Sequence, residues 1–175
     1  MTPKILLAFA GLPASGKSAV ASRVHQALDS VLLDKDRVRE FFFQQHVDYT
    51  DVQNDLCIDL MYQVAEYLMS KSQPPLVIID GRSYSKREQI DALKSSALRA
   101  RCRLCIVECI CSAETAKIRL AQDQGIHPAR DRDYAMYMRS KATADPILEP
   151  RLTLDTDKWS ADECCQQTLN YLAKL

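Results

Sequence analysis

Residues 11–18 read Gly-Leu-Pro-Ala-Ser-Gly-Lys-Ser and satisfy G-x-x-x-x-G-K-[ST] at every fixed position. A loop of this type wraps a polyphosphate with successive backbone N–H groups. Its tight positions need small, conformationally permissive residues, which Gly11 and Gly16 supply. A helix starting near Gly16 adds unpaired N–H groups and the positive end of its dipole. Lys17 is expected to bridge the terminal phosphates and Ser18 to ligate Mg²⁺. The expected nucleotide contacts are Gly11, Leu12, Pro13, Ala14, Ser15, Gly16, Lys17, Ser18 and Ala19.

Carboxylates and guanidinium groups elsewhere suggest what such a phosphate would be used for. Asp80 follows the apolar run Leu76-Val77-Ile78-Ile79. A carboxylate at that strand end suits a Mg²⁺ partner or a water organiser, with capping of the turn at Gly81 as the alternative. Arg82 beside it is a candidate for binding an acceptor or a phosphate. Transfer to a hydroxyl needs a carboxylate within hydrogen-bond reach of that hydroxyl, and Asp36 is the candidate general base. Asp34 competes for that role, or else caps the following segment or contacts the metal. Arg39 lies one helical turn from Asp36, so the two face the same way. It reads either as a fork that anchors the acceptor, with Asp36 and Arg82, or as half of a surface ion pair.

Arg119, Arg130 and Arg132 surround a polar segment expected to form a mobile lid at about residues 123–133. Charge builds on a transferring phosphoryl group, and an arginine brought in by a lid is worth about 10³–10⁵ in rate. Arg119 is assigned to the nucleotide and Arg130 and Arg132 to the transfer step, without a ranking among them. The opposing reading is a solvated loop balanced by Asp131 and Asp133. His127, in the same segment, reads as a surface residue.

The elements that must position these groups alternate along the chain. Ile5–Ala10 is a short apolar run, the mark of a buried parallel strand, and Ala19–Leu28 carries apolar residues at helical spacing. Val31–Leu33 is a second strand that runs into the charged stretch 34–40. A short helix is expected from Arg37 to Gln45, with Phe41, Phe42 and Phe43 partly in the core. A longer helix is expected over Val52–Ser70, strands over Leu76–Ile79, Arg103–Ile110 and Leu152–Leu154, and helices over Ser85–Leu98, after Ser112, over Tyr134–Lys141 and over Asp162–Leu172. Tyr134, Met136, Tyr137 and Met138 are expected to be core. This alternation predicts an α/β fold, a five-stranded parallel sheet with helices on both faces, as a single domain over residues 1–175.

Composition bounds the partners. The chain of 175 residues suffices for one domain with a real core, and 23 basic residues balance 23 acidic ones, so no global field favours nucleic acid. No apolar run approaches the ~18 residues of a membrane span, and a leader cleaved after residue 10 would destroy the glycine loop, so a cytoplasmic location is expected. The seven cysteines include Cys102-x-x-Cys105. A strand would point residues three apart to opposite faces, so buried free thiols are expected rather than a zinc site.

With these residues in view, the chain resembles the small P-loop kinases of the zeta-toxin, polynucleotide-kinase and chloramphenicol-phosphotransferase type. The resemblance lies in Gly11–Ser18, in Leu33-Asp34-Lys35-Asp36-Arg37-Val38-Arg39, in Val77-Ile78-Ile79-Asp80 and in the arginine-containing stretch 119–132. It implies a three-layer P-loop NTPase fold, ATP and Mg²⁺ as cofactors, and a hydroxyl-bearing small molecule as acceptor. The D-x-x-R of Asp36 and Arg39 is similar to the element with which polynucleotide 5′-kinases activate a hydroxyl and hold an acceptor phosphate. A polynucleotide 5′-hydroxyl kinase is therefore the alternative, followed by an ATPase or switch without an acceptor and by a toxin acting on a nucleotide-sugar. The resemblance also places an adenine-contacting loop at Asp155-Thr156-Asp157-Lys158 and an acceptor wall over 37–51 and the helix after it.

Overall fold

The fold is taken from a computed structural model, which describes residues 4–123 and 133–175. The strands are β1 (Ile5–Ala10), β2 (Val31–Asp34), β3 (Leu76–Asp80), β4 (Arg103–Ile110) and β5 (Leu152–Asp155). They form one parallel sheet in the order β2-β3-β1-β4-β5. The α-helices are α1 (Lys17–Ala27), α2 (Lys35–Phe43), α3 (Asp51–Met69), α4 (Arg87–Arg99), α5 (Ala113–Gln122), α6 (Tyr134–Ala142) and α7 (Ala161–Leu172). The α/β architecture predicted from the alternation is present. The expected lid falls almost wholly outside the described residues, and His127, Arg130, Asp131 and Arg132 fall there with it.

The layers follow from strand alternation. Leu6, Ala8 and Ala10 of β1 pack with Val77 and Ile79 of β3 against Ile58, Met61 and Ala65 of α3 and Ile90 and Leu93 of α4. Leu7 and Phe9 face the other way, with Ile78 and Val107, onto Val20 and Val24 of α1 and Cys164 and Cys165 of α7. Both faces of the sheet are covered, which explains why β1 and β3 read as unbroken apolar runs. All seven cysteines are free thiols, and burial raises Cys105 to about 11 and Cys109 to about 12, leaving them inert apolar packing.

Two expectations about apolar residues are corrected. Phe41 and Phe42 are 75% and 60% exposed, not core. The buried face of α2 is taken by Arg39, with Val38 against the core, and the two rings turn outward edge to face, 5.2 Å apart. In the tyrosine–methionine stripe, Tyr137 is buried under Ala14, Ala116 and Leu120, but Met138 is exposed. Helix α2 starts at Lys35, not Arg37, because Asp34 ends β2 and caps the helix at once, accepting from the N–H groups of Asp36 at 2.8 Å and Arg37 at 3.3 Å.

Among the described residues no helix is long and apolar enough to cross a membrane. Leu7 is fully buried in the central strand. Leu7→Ala is expected to cost about 2–5 kcal/mol of unfolding free energy by chemical denaturation, whereas Phe41→Ser should stay within about 0.5 kcal/mol of the parent. Equal losses would contradict the packing described.

Candidate active site

The glycine loop joins the central strand β1 to α1 and is held largely through its carbonyls. The Gly11 N–H donates to the Ser83 carbonyl at 3.0 Å, which ties the loop to the segment after β3. Gly11 has φ +135°, and a Cβ there would lie 2.3 Å from the Cys109 carbonyl oxygen, so no other residue fits without moving β4. Arg119 of α5 donates to the Ala14 carbonyl at 3.0 Å and to Thr156, through Oγ1 at 2.9 Å and the carbonyl at 3.0 Å. The Thr156 hydroxyl in turn donates to the Ser15 carbonyl at 3.0 Å. Arg119 and the 155–158 loop, which sequence reading placed on the nucleotide, thus meet at the glycine loop. A hollow of about 220 Å³ opens there, lined by Gly16, Lys17, Ser18, Ala19, Arg119 and Gln122. Leu12 is half-buried beside Ala14 over α5, and the Lys17 ammonium donates to the Leu12 carbonyl at 3.4 Å.

Asp80 closes β3 beside Asp34 at the end of β2, the two being register partners. Asp80 is buried, and burial raises its carboxyl above the ordinary value, opposed by the Lys17 charge and a Ser18 hydrogen bond. Its Oδ1 has no hydrogen-bond partner among the described residues. A serine hydroxyl and an orphaned carboxylate oxygen beside a phosphate loop are hard oxygen donors, and they fit a hydrated Mg²⁺.

Asp36 and Arg39 are brought together as their spacing required, with Arg39 Nη1 at 2.8 Å from Asp36 Oδ1. Of the two readings of Arg39, a surface ion pair does not describe it. The residue is only 3% exposed, its Nη2 donates to Asn54 Oδ1 of α3, and its guanidinium carbon stands 5.2 Å from the centre of the Tyr49 ring. It is a buried brace from α3 to Asp36. Arg82 pairs with Asp55 of α3 at 2.5 Å.

Comparison with known proteins fits this geometry. Residues 6–147 match the family described as AAA domain. The chain belongs to that family. A search of curated proteins gives no match. Among solved structures, this AAA-domain chain is similar to a Chloroflexus aurantiacus protein described as a kinase candidate (TM-score 0.76, 19% identity, 99% of this chain and 98% of that one). It is also similar to a gluconokinase from Sinorhizobium meliloti (0.66, 18%, 99% and 93%) and to the APS kinase of Mycobacterium tuberculosis in complex with AMPPNP and APS (0.69, 15%, 100% and 100%). At these identities the likeness is one of fold, and the fold of the AAA-domain chain is that of small P-loop kinases.

Several residues that bear on the site left no mark in the sequence. Lys35 packs on Gly81, whose φ of +98° and a would-be Cβ 2.6 Å from the Lys35 Cβ demand glycine. Asn54 acts across 15 residues, and no periodicity announces such a contact. Tyr84, buried beyond β3 with its hydroxyl 3.2 Å from that of Tyr62, lines a second hollow of about 370 Å³ with Leu12 and Tyr137.

Burial lowers the Lys35 ammonium to about 8, assisted by the charges of Arg39, Lys17 and Arg82 and opposed by Asp36. At pH 8 roughly half of Lys35 is neutral, against under about 1% of an ordinary lysine. An acylating amine reagent at pH 8 should therefore label Lys35 ahead of the exposed Lys158, whose partner Asp155 raises it. Peptide mass spectrometry at low reagent excess reads the order, and the preference should shrink steadily as the pH is raised and Lys158 loses its proton. Labelling of Lys158 first at pH 8 would show that Lys35 keeps an ordinary proton affinity.

Proposed function

We propose that this chain is an ATP-dependent phosphotransferase that moves the γ-phosphoryl group to a hydroxyl of a small-molecule acceptor. The family and the fold of its structural neighbours support phosphotransfer in general. The observation that carries the finer reading is Asp36. A carboxylate braced by a buried arginine stands at the same edge of the sheet as Lys17 and Asp80. A second carboxylate aimed by a buried arginine suits proton transfer from an acceptor hydroxyl better than it suits hydrolysis or a switch.

In this reading the loop's N–H groups other than those of Gly11 and Ser15, with the Lys17 ammonium, hold the phosphates of ATP, and Arg119 fixes the loop that does so. Ser18 and Asp80 hold Mg²⁺, which neutralises charge on the phosphates. The acceptor hydroxyl gives its proton to Asp36, its oxygen forms the new bond to the γ-phosphorus, and the bridging bond to the β-phosphate breaks to release ADP. Arg39 holds Asp36 in its aim, and Arg82 borders the acceptor. Arg130 and Arg132, outside the described residues, are proposed to meet the charge of the transferring group.

The test uses γ-labelled ATP with Mg²⁺ and a mixed panel of small hydroxyl compounds and 5′-hydroxyl oligonucleotides. Lys17→Ala should lower transfer by about 10²-fold or more. Asp36→Asn, which can still accept from Arg39, should leave the ATP dissociation constant within about threefold and lower transfer by about 10²–10⁴-fold. Transfer retained in Asp36→Asn overturns its role as base. Label on oligonucleotide ends, weakening steeply with salt, would replace the small acceptor by a polynucleotide.

A further inference from the structure

Beside Lys35, the neighbour of Asp36 in the chain, lies a hollow of about 130 Å³ lined from α2, α3, the segment after β3 and α4. Its walls carry charge without net charge. Lys35 and Arg82 supply two cations, and Asp51 and Asp55 two carboxylates, with Arg82 already paired to Asp55 at 2.5 Å. The remaining polar wall is neutral, made of Asn54, Ser83 and Gln89, and Ile58 is its apolar residue. Two buried atoms on this wall lack a hydrogen-bond partner among the described residues: the donor Arg82 Nε and the acceptor Gln89 Oε1.

Each ligand class asks for a different wall. A phosphate, sulfate or carboxylate needs a surplus of cations with no facing carboxylates, and here Arg82 is already paired with Asp55, and Asp51 adds a second carboxylate to the wall. A nucleobase needs an aromatic or broad apolar face to stack on, and Ile58 alone does not make one. A hydroxyl both donates and accepts, so a run of hydroxyls can satisfy carboxylates, amides, an ammonium and an orphaned donor and acceptor together. The volume lies well under the roughly 300–1,000 Å³ of pockets for drug-sized ligands, which limits the occupant to a few carbons.

We propose that this hollow seats the acceptor and selects a small, uncharged polyol: a short chain or ring with several adjacent hydroxyls. The inference rests on the phosphotransferase reading above and deepens it. One hydroxyl of the polyol is presented to Asp36, the others are held by Asp51, Asp55, Gln89 and Lys35, and the phosphoryl product carries a charge that the seat does not favour.

The test pairs each neutral polyol of three to six carbons with its carboxylate or phosphate counterpart, adds nucleosides, and measures transfer from γ-labelled ATP by the full chain. ATP binding is measured separately by calorimetry. Transfer to at least one neutral polyol, with kcat/KM at least tenfold above its charged counterpart, is the expected result. Gln89→Leu and Asp51→Asn should each raise KM for that polyol about tenfold or more with KM for ATP within twofold. A variant that fails to fold leaves the other, and the parent's own selectivity, to decide. ATP binding with transfer only to nucleosides or to charged acceptors, or with no transfer to any polyol, overturns this inference alone. Absence of ATP binding overturns the phosphotransferase reading, and this inference falls with it.

Discussion

A loop that offers backbone N–H groups to a phosphate has few left to hold its own shape, here those of Gly11 and Ser15, which donate to the Ser83 and Leu12 carbonyls. The glycine loop answers this constraint through its carbonyls. Ala14, Ser15 and Leu12 accept from Arg119, Thr156 and Lys17, on the side of the peptide units that an anion does not use. Each of these is a bond to a charged or well-aligned donor, worth about 0.5–3 kcal/mol net, and together they offset the ordering of a loop rich in unusual backbone angles. Arg119 and Thr156 come from α5 and the loop after β5, so the far edge of the sheet is needed for the central loop to keep its form. Gly11 sets the other limit, since the Cys109 carbonyl occupies the space of its missing side chain.

On the opposite side of the sheet the same logic holds a charge in place. Asp34 spends its carboxylate on the first turn of α2, which lets β2 pass into the helix without a loop and puts Lys35 and Asp36 at the sheet edge. Lys35 then lies among Lys17, Arg39 and Arg82, where burial and like charge both disfavour its proton, and Asp36 is the group that restrains the shift. Arg39 is aimed by Asn54 and so passes the position of α3 on to the proposed base. A change in α3 would therefore reach Asp36 without touching it.

What could be read from the chain and what could not divide along this line. The strands were legible because a covered parallel sheet writes itself as short apolar runs, and the glycine loop because its geometry dictates residue types at fixed spacing. The pairing of Asp36 with Arg39 was legible because three residues make nearly one helical turn. The burial of Arg39 was not, because it depends on Asn54 and Tyr49 from segments that share no period with α2. Phe41 and Phe42 misled for the same reason: a run of aromatic residues signals burial on average, and here the inward face of the helix had already been taken by a guanidinium. The roles of Arg130 and Arg132 stay with the sequence, since those residues lie outside the described structure.

The distribution of unsatisfied polar atoms ties the two halves together. Among the described residues, the buried side-chain atoms without a hydrogen-bond partner include Ser15 Oγ in the glycine loop, Asp80 Oδ1 at the proposed Mg²⁺ position, Arg39 Nε behind the proposed base, and Arg82 Nε and Gln89 Oε1 on the proposed acceptor wall. Each such atom costs about 1–3 kcal/mol, a large fraction of the 5–15 kcal/mol by which domains are stable. A fold keeps several of them side by side when something outside the chain completes them. Nucleotide, metal and acceptor are the completions proposed for these five, and Ser96 Oγ of α4, likewise without a partner, stands outside that set. Ligands that complete these atoms should therefore stabilise the folded chain.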